Sequence, residues 1–386
     1  MRNYLKKFVL LLTFTCSCFL GKSQVTVTGN ANATPAMAAT YPSLANAITA
    51  LNAVTTISGP IIITLNAGNP QTAPAGGYAI NFTAATTNVG SRTVTITGNN
   101  NTITASASLT SGSLTDAIFK IVGPNFVTIQ NFIMQENPAN INTTPATNNM
   151  TEWGVALLCA STTNGAQSNT IRNNTISLNK AYSNTFGIYS NARHSASNVI
   201  TVADASSANG ANSNNILHGN SISNVNTGIA FTGSSNAGFM DLGNDIGGSD
   251  LSTANPISNW GGLSAASAFV GILAGSHGIF ISNQKNENVS FNTITSATLS
   301  GTPIDTRGIF KTYNTVPTGT FTSSITNNVI TVSHNFTSGA LAGIQSEGMT
   351  TTVTGATINI NNNRFQNMAV MAAASSTELF GIVNIS

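Results

Sequence analysis

The chain has 386 residues, of which only 6% are charged, against roughly 25% in an ordinary soluble domain. Its hydrophobic fraction of 41% provides enough apolar surface to bury, which excludes a disordered chain. Four of the thirteen basic residues lie in the first segment, so the rest carries nine basic and eleven acidic residues and no Lys/Arg cluster. We therefore expect neither nucleic acid nor an anionic membrane as a partner.

Residues 1–23 have the pattern of a secretory signal peptide. Basic residues at positions 2, 6 and 7 precede an apolar run over 8–20 and small residues at 21 and 23. The run is shorter than the about 20 residues that a membrane span needs, so we expect cleavage after Ser23 and a secreted or outer-surface location. A lipid anchor through Cys16 or Cys18 is the less favoured alternative, because neither follows the usual Leu-small-small sequence. No later stretch predicts a transmembrane segment.

Residues 24–117 predict a cap and the first coils of a repeat structure. Val25–Thr28 alternates with a period of two, as a short strand does. In 43–52, Leu44, Ala47, Ile48 and Leu51 share one face of a short helix. Further strands are predicted over 61–65, over 78–83, and as a pair within 92–104 that is broken by a Gly-Asn turn.

Residues 118–386 repeat a two-part phrase with spacers of unequal length. Asn, any residue and Ile or Phe come first, and Gly-Ile or Gly-Val follows, as in Asn174-Thr175-Ile176 and Gly187-Ile188. Such repetition is typical of a solenoid, in which a short unit is stacked many times.

Stacked coils pair their strands in parallel, so equivalent residues align in rows. The Ile residues would form an inward row, and the Gly residues would mark places that need a positive φ or a close backbone approach. A β-sandwich or propeller is less favoured, because no Tyr or Trp recurs at fixed offsets. The Asn residues would form a hydrogen-bonded ladder at a corner, made of Asn131, Asn174, Asn220, Asn292, Asn328 and Asn363.

The helix at 44–51, the strand ending in a Gly turn at 61–68 and the paired strands at 94–103 resemble the start of pectate-lyase-like proteins. This resemblance implies an all-β, right-handed parallel β-helix whose N-terminal helix caps the stack. The segments 244–248 and 255–262 are similar to parts of large secreted β-helix proteins of flavobacteria and other Bacteroidetes. Those proteins commonly end in a sorting domain, whereas this chain stops within a phrase at Ser386, so we expect a truncated C-terminus.

Gly275-Ser276-His277-Gly278, followed by Arg307 and Lys311, resembles the Gly-His-Gly and Arg-x-Lys elements of polygalacturonases. That resemblance implies a catalytic role for these residues, with Asp305 as a nearby carboxylate. The Asp pair that the family carries upstream is absent from 254–258. The alternative is that His277 and Arg307 are structural residues of adjacent coils.

Two further groups of residues are candidate binding sites. Asp241, Asp245 and Asp250 lie in a Gly-rich stretch and carry the oxygen ligands that calcium prefers; the alternative is a solvated loop, and no other cofactor is expected. Trp153, Trp260 and Tyr313 are candidates for stacking on sugar rings, with burial on a strand as the alternative interpretation.

The sequence thus leads to two functional hypotheses. The first is a non-catalytic secreted or cell-surface protein for adhesion or carbohydrate binding, either on its own or as a fragment of a larger secreted protein. The alternative is a polysaccharide lyase or a glycoside hydrolase that acts on a pectin-like polymer.

Overall fold

The structure, a computed structural model, describes residues 23–83, 90–144, 146–193, 204–262, 272–297, 304–348, 353–372, 376 and 378–385. Residues 1–22 of the predicted signal peptide, including Cys16 and Cys18, lie outside the described residues.

The described chain forms a parallel β-helix, in which each full coil supplies one strand to each of three long sheets. The prediction of an all-β parallel β-helix with a short helix is confirmed. Sheet 1 contains, in spatial order, Thr40–Tyr41, Val25–Thr28, Ile61–Leu65, Val94–Thr97, Val127–Gln130, Thr170–Arg172, Ile216–His218, Asp245–Ile246, Asn288–Ser290, Phe321–Thr326 and Ala356–Asn361. Sheet 2 contains Gln71–Thr72, Thr102–Thr104, Ile133–Gln135, Thr175–Ser177, Ser221–Ser223, Pro256–Trp260, Thr293–Ser296, Val329–Thr331 and Arg364–Phe365. Sheet 3 contains Tyr78–Ile80, Ala117–Val122, Trp153–Leu158, Phe186–Asn191, Thr227–Thr232, Ser276–Ser282, Thr306–Thr312, Ala340–Glu347 and Glu378–Ile385.

Smaller elements lie between these strands. Two-stranded ladders join Ala33–Thr34 to Thr56–Ile57, Asp241–Leu242 to Gln284–Lys285, and Ser333–His334 to Ala369–Val370. Short 3₁₀ helices span Asn30–Asn32, Ala208–Gly210 and Leu251–Thr253.

The N-terminal end differs from the parallel stack. Val25–Thr28 pairs antiparallel with Ile61–Leu65, the first strand of the stack proper. The predicted helix spans Leu44–Asn52, with Ser43 as its N-cap, and buries the four apolar residues that define its predicted face. Asn52 Nδ2 donates to the Ala79 carbonyl at 2.7 Å, so the helix covers the first coil and shields its apolar core from water.

An amide ladder runs along the corner between sheets 1 and 2. Asn220 shows its bonding pattern: Nδ2 donates to the Ile171 carbonyl at 2.8 Å and to Asn255 Oδ1 at 3.1 Å, while Oδ1 accepts from the Asn174 N–H at 3.3 Å. Because each amide uses both its donor and its acceptor, the buried column stays satisfied along its length. The ladder consists of Asn174, Asn220, Asn255, Asn292, Asn328 and Asn363.

Asn131 is not part of this ladder. Its φ of 58° is left-handed, and it occupies the turn position that Asn173 and Gly219 occupy on the next two coils. The ladder position of this coil is Phe132, whose N–H donates to Asn174 Oδ1 at 3.1 Å. Asn255 is a ladder member that sequence reasoning missed, although Asn255-Pro256-Ile257 matches the first half of the repeated phrase.

The two halves of the repeated phrase meet in the interior. At Gly187 an added Cβ would lie 2.4 Å from Ile222 Cγ2 and 2.7 Å from the Gly228 carbonyl oxygen. These positions therefore need glycine because the neighbouring backbone and side chain leave no room for a Cβ, and not because their φ is positive. The same contact recurs along a column made of Gly154, Gly187, Gly228, Gly278 and Gly308, against Ile176, Ile222, Ile257, Ile294 and Ile330.

The three sheets differ in what their outer faces meet. Strands of sheets 1 and 2 alternate buried and exposed side chains, as in Thr175–Ser177. Central strands of sheet 3, such as Trp153–Leu158 and Phe186–Asn191, are buried on both faces. Its outer face carries a second apolar cluster that includes Tyr189, Phe280 and Phe310.

We predict that Gly187→Ala lowers the free energy of unfolding by about 1–3 kcal/mol, because the methyl group overpacks the contact with Ile222. Urea denaturation followed by circular dichroism measures the change. Gly238→Ala is the matched control, since its nearest neighbouring atom lies 3.5 Å from the added Cβ. Equal losses in both variants would contradict the packing argument.

Candidate functional site

The residues of the polygalacturonase-like motif lie on neighbouring strands of sheet 3. His277 pairs with Arg307 in the parallel register, and Arg307 Nη1 lies 3.4 Å from His277 Nε2. Arg307 Nη2 donates to Asp305 Oδ2 at 2.7 Å, and its Nε donates to Gln345 Oε1 at 2.6 Å. The structure therefore brings His277, Arg307 and Asp305 together.

Glu347 is a further carboxylate near this cluster. Its Oε2 accepts from Gln345 Nε2 at 2.7 Å, so Gln345 bridges Glu347 and Arg307. The guanidinium of Arg307 also lies 4.4 Å from the centre of the Phe310 ring. Sequence reasoning missed Glu347, although it ends the strand that pairs with that of Arg307.

Burial determines what this cluster can do. His277 is fully buried and stacks against Phe310, with ring centres 5.3 Å apart. Burial and the neighbouring Arg307 cation hold the pKa of His277 well below 6.5, so its ring is a poor proton acceptor. The Arg307 side chain is 9% exposed and that of Asp305 is 43% exposed, so Asp305 is the more accessible partner of this ion pair.

Lys311 belongs to a separate, interior cluster. It forms an ion pair with Glu287, and both side chains are almost completely buried. Ser323 Oγ donates to the other Glu287 oxygen at 2.6 Å, and Lys311 Nζ lies 4.4 Å from the centre of the Tyr313 ring. Although burial opposes it, the Glu287 carboxylate raises the pKa of Lys311 above its ordinary value. The structure therefore separates Lys311 from the partners of Arg307.

The three aspartates of the candidate calcium site are engaged separately. Asp241 is fully buried and accepts from the Asn212 N–H at 3.0 Å and from Gln284 Nε2 at 3.1 Å. Burial raises the pKa of Asp241 to about 8, although these donors oppose the rise. Asp250 caps the 3₁₀ helix Leu251–Thr253 at the surface.

Asp245 pairs with a histidine. Its Oδ2 lies 2.9 Å from His218 Nε2, and its Oδ1 accepts from Asn288 Nδ2 at 2.7 Å. Although burial acts to raise it, these partners hold the pKa of Asp245 below its ordinary value. Within the described residues, no group of three or more His, Cys, Asp or Glu side chains is arranged to hold a metal ion.

The candidate sugar-stacking rings lie inside the protein. Trp153 and Trp260 are fully buried, and Tyr313 is 4% exposed. Trp153 stacks on Tyr189, with ring centres 5.0 Å apart and planes at 6°. These rings therefore pack between coils and offer no exposed stacking platform.

A buried pair of carboxyl groups is a feature that sequence reasoning missed. Asp116 and Glu152 each stand directly before a strand of sheet 3, and the Asp116 N–H donates to Glu152 Oε2 at 2.8 Å. Aligning the repeats would have found them, because the two acids occupy equivalent positions of successive coils.

The outer face of sheet 2 between Thr102 and Thr331 carries a regular array of half-buried and exposed side chains, most of them polar; we term it the polar face. In each strand the buried central residue is flanked by two outward residues, as in Ser221–Ser223. One column consists of Thr104, Gln135, Ser177, Ser223, Ser258, Thr295 and Thr331, in register from coil to coil. Strands in a sheet lie about 4.8 Å apart, so this column forms a regular uncharged row.

Comparison of the chain with protein-family models gave no match, and comparison with curated proteins gave no significant relative. Among the helices of the described residues, none has the length and apolar character that crossing a membrane requires.

Removing one partner of the interior ion pair should be costly. We predict that Lys311→Met lowers the free energy of unfolding by about 3–5 kcal/mol, because it leaves the Glu287 carboxylate buried without a cation. The double variant Lys311→Met/Glu287→Gln should recover part of that loss. Additive losses in a double-mutant cycle, measured by urea denaturation, would show that the two groups do not interact.

The buried imidazole of His277 predicts a loss of stability in acid. Because the folded-state pKa lies well below the ordinary 6.5, the unfolded chain binds a proton that the folded chain does not, and stability falls as the pH drops below 6.5. Between pH 7 and pH 5 the urea midpoint of the unmodified chain should therefore fall relative to that of His277→Phe, which lacks this proton-binding group. An unchanged pH dependence in the variant would refute this assignment.

Proposed function

We propose that this chain is a non-catalytic, exported β-helix protein that binds carbohydrate through the polar face. The observation that carries the proposal is the uncharged column of hydroxyl and amide groups from Thr104 to Thr331. Hydroxyl and amide groups in a fixed row are suited to hydrogen-bond a polymer that carries hydroxyl groups along its length. Many weak contacts along one rigid surface also add up to useful affinity.

The positions of the ionisable groups support a binding role over a catalytic one. His277 and Lys311, which the catalytic hypothesis needs as reactive groups, are fully buried. Arg307 is already engaged by Asp305 and Gln345. General acid–base catalysis needs a titratable group within reach of the substrate, and among these residues Asp305 alone is substantially exposed.

The proposal also assigns a superfamily, a cellular location and an adhesion role to the chain. The cap helix, the antiparallel first strand and the amide ladder support membership of the pectate-lyase-like superfamily. The basic and apolar pattern of residues 1–23 supports export to the medium or to the outer cell surface. The resemblance of 244–248 and 255–262 to parts of large secreted flavobacterial proteins supports an adhesion role there.

A polysaccharide-cleaving activity is the second candidate. It rests on one observation, the two carboxylates of Asp305 and Glu347 that lie around Arg307. Paired carboxyl groups are the usual acid and base of glycoside hydrolysis.

A glycan array with the mature chain, run beside a reducing-sugar assay on pectin and neutral polymers, tests both functions. We predict binding without release of reducing ends. Ser223→Tyr should weaken binding at least about tenfold, because a bulky ring in mid-column prevents a polymer from lying across the face.

Thr128→Tyr on sheet 1 is the matched control and should bind as the unmodified chain does. Release of reducing ends that Asp305→Asn abolishes would favour the enzyme instead. Equal binding by Ser223→Tyr and the unmodified chain would place the ligand elsewhere.

A further inference from the structure

Two long loops enter sheet 3 on adjacent coils, and a carboxyl group stands at the base of each. Asp116 ends the segment 106–116 and precedes Ala117–Val122, while Glu152 ends the segment 137–152 and precedes Trp153–Leu158. The Asp116 N–H donates to Glu152 Oε2 at 2.8 Å, and the Glu152 N–H donates to the Asp116 carbonyl at 3.1 Å. The two loop bases are therefore joined through these residues.

Both carboxyl groups lie in surroundings that disfavour a charge. Glu152 is fully buried, and its Oε1 accepts from the Tyr182 hydroxyl at 2.9 Å. Asp116 is 4% exposed, and its Oδ2 has no hydrogen-bond partner among the described residues. A buried carboxylate oxygen without a partner is costly when it is ionised.

Other charged and titratable groups face this pair from three directions. Lys120, on the same strand as Asp116, donates from Nζ to the Thr115 carbonyl at 3.0 Å and attracts both carboxylates. Glu136, at the start of the second loop, opposes the ionisation of Asp116. Tyr182 donates to Glu152 from the following coil.

Hydrogen bonds join the described parts of the two loops: Ser111 Oγ donates to the Thr147 carbonyl at 3.2 Å, and Asn140 Nδ2 donates to the Ser106 carbonyl at 2.9 Å. The Gly112 N–H donates to the Asn148 carbonyl at 2.9 Å, and Asn148 Nδ2 donates to the Ser113 carbonyl at 3.1 Å. Repulsion between the carboxylates at the loop bases therefore acts against these hydrogen bonds, which hold the two segments together.

We propose that Asp116 and Glu152 form a pH-dependent latch, which holds the loop 106–115 against 137–144 and 146–151 while one carboxyl group is protonated and loosens these segments when both are ionised. Two adjacent carboxylates in a water-poor site repel each other strongly, so the second ionisation favours separation of the loops. Lys120 moderates this repulsion because its cation attracts both carboxylates.

The raised pKa values of Asp116 and Glu152 give the direction in which pH changes the stability of the closed loops. Burial raises the pKa of Asp116 to about 6 and the pKa of Glu152 well above its ordinary 4.5. The folded state therefore binds protons that the unfolded state has released. The stability that these extra protons give to the closed, folded state is fully present below about pH 4. For Asp116 it is lost as the pH rises through about 6.

Hydrogen exchange of the intact mature chain, read by mass spectrometry between pH 5 and pH 7.5, tests the latch. After correction for the intrinsic exchange rate, peptides from 106–116 and 137–152 should open about tenfold more often at the higher pH. In Asp116→Asn, which keeps the shape and removes the charge, this pH dependence should disappear. Peptides from Phe321–Thr326 should show no such increase in either protein.

Asp250→Asn is the control substitution, because that carboxylate lies at the surface away from both loops. It should leave the tenfold change intact. A pH dependence that persists in Asp116→Asn, or that is absent from the unmodified chain, overturns the proposal. If Asp116→Asn does not fold, Glu152→Gln provides the same comparison, and a carboxyl-carbon NMR titration of the unmodified chain gives the ionisation directly: a midpoint near 4 for Asp116 also overturns it.

Discussion

Parallel stacking brings each residue against its counterpart one coil away, and the amide ladder between sheets 1 and 2 is where this constraint is strictest. A buried polar group that repeats in every coil must form its hydrogen bonds with neighbouring coils, because no water reaches it. Asparagine meets this requirement, since its oxygen accepts from one coil while its nitrogen donates to the next, as at Asn220. Phe132 marks one end of the ladder by contributing only its backbone N–H.

The same constraint sets how closely the sheets approach each other. The isoleucine of one coil lies against the glycine of the preceding coil, as Ile222 does against Gly187. Sheets 2 and 3 therefore approach closely enough for an isoleucine methyl group to contact the glycine backbone. Charges that enter this narrow interior must be compensated there, which accounts for the buried pair of Lys311 and Glu287. Ionisable groups such as Lys311 and Glu287 consequently pair with each other in the interior, whereas the polar face consists of neutral side chains.

The distribution of burial separates binding surfaces from structural groups. The central strands of sheet 3 are covered on both faces, so the motif residue His277 and the aromatic rings of Trp153 and Tyr189 serve packing. Sheet 2 leaves one regular face to solvent, with Ser177 and Ser223 in adjacent positions of the column. The carboxyl groups of Asp116 and Glu152 lie between these two regions, at the bases of loops that begin beside the polar face.

The sequence by itself determined the solenoid and most of the ladder, because coil-to-coil alignment follows from the repeated phrase. It also determined the cap helix at Leu44–Asn52, because four apolar residues there share one helical face. It misplaced Asn131 by one position, since a turn residue and a ladder residue are both asparagine on neighbouring coils. Only the tertiary structure decided which side chains are accessible and which carboxyl groups meet. Asp116 and Glu152 lie 36 residues apart in the chain, and loops of unequal length hide such contacts from any fixed spacing in the sequence.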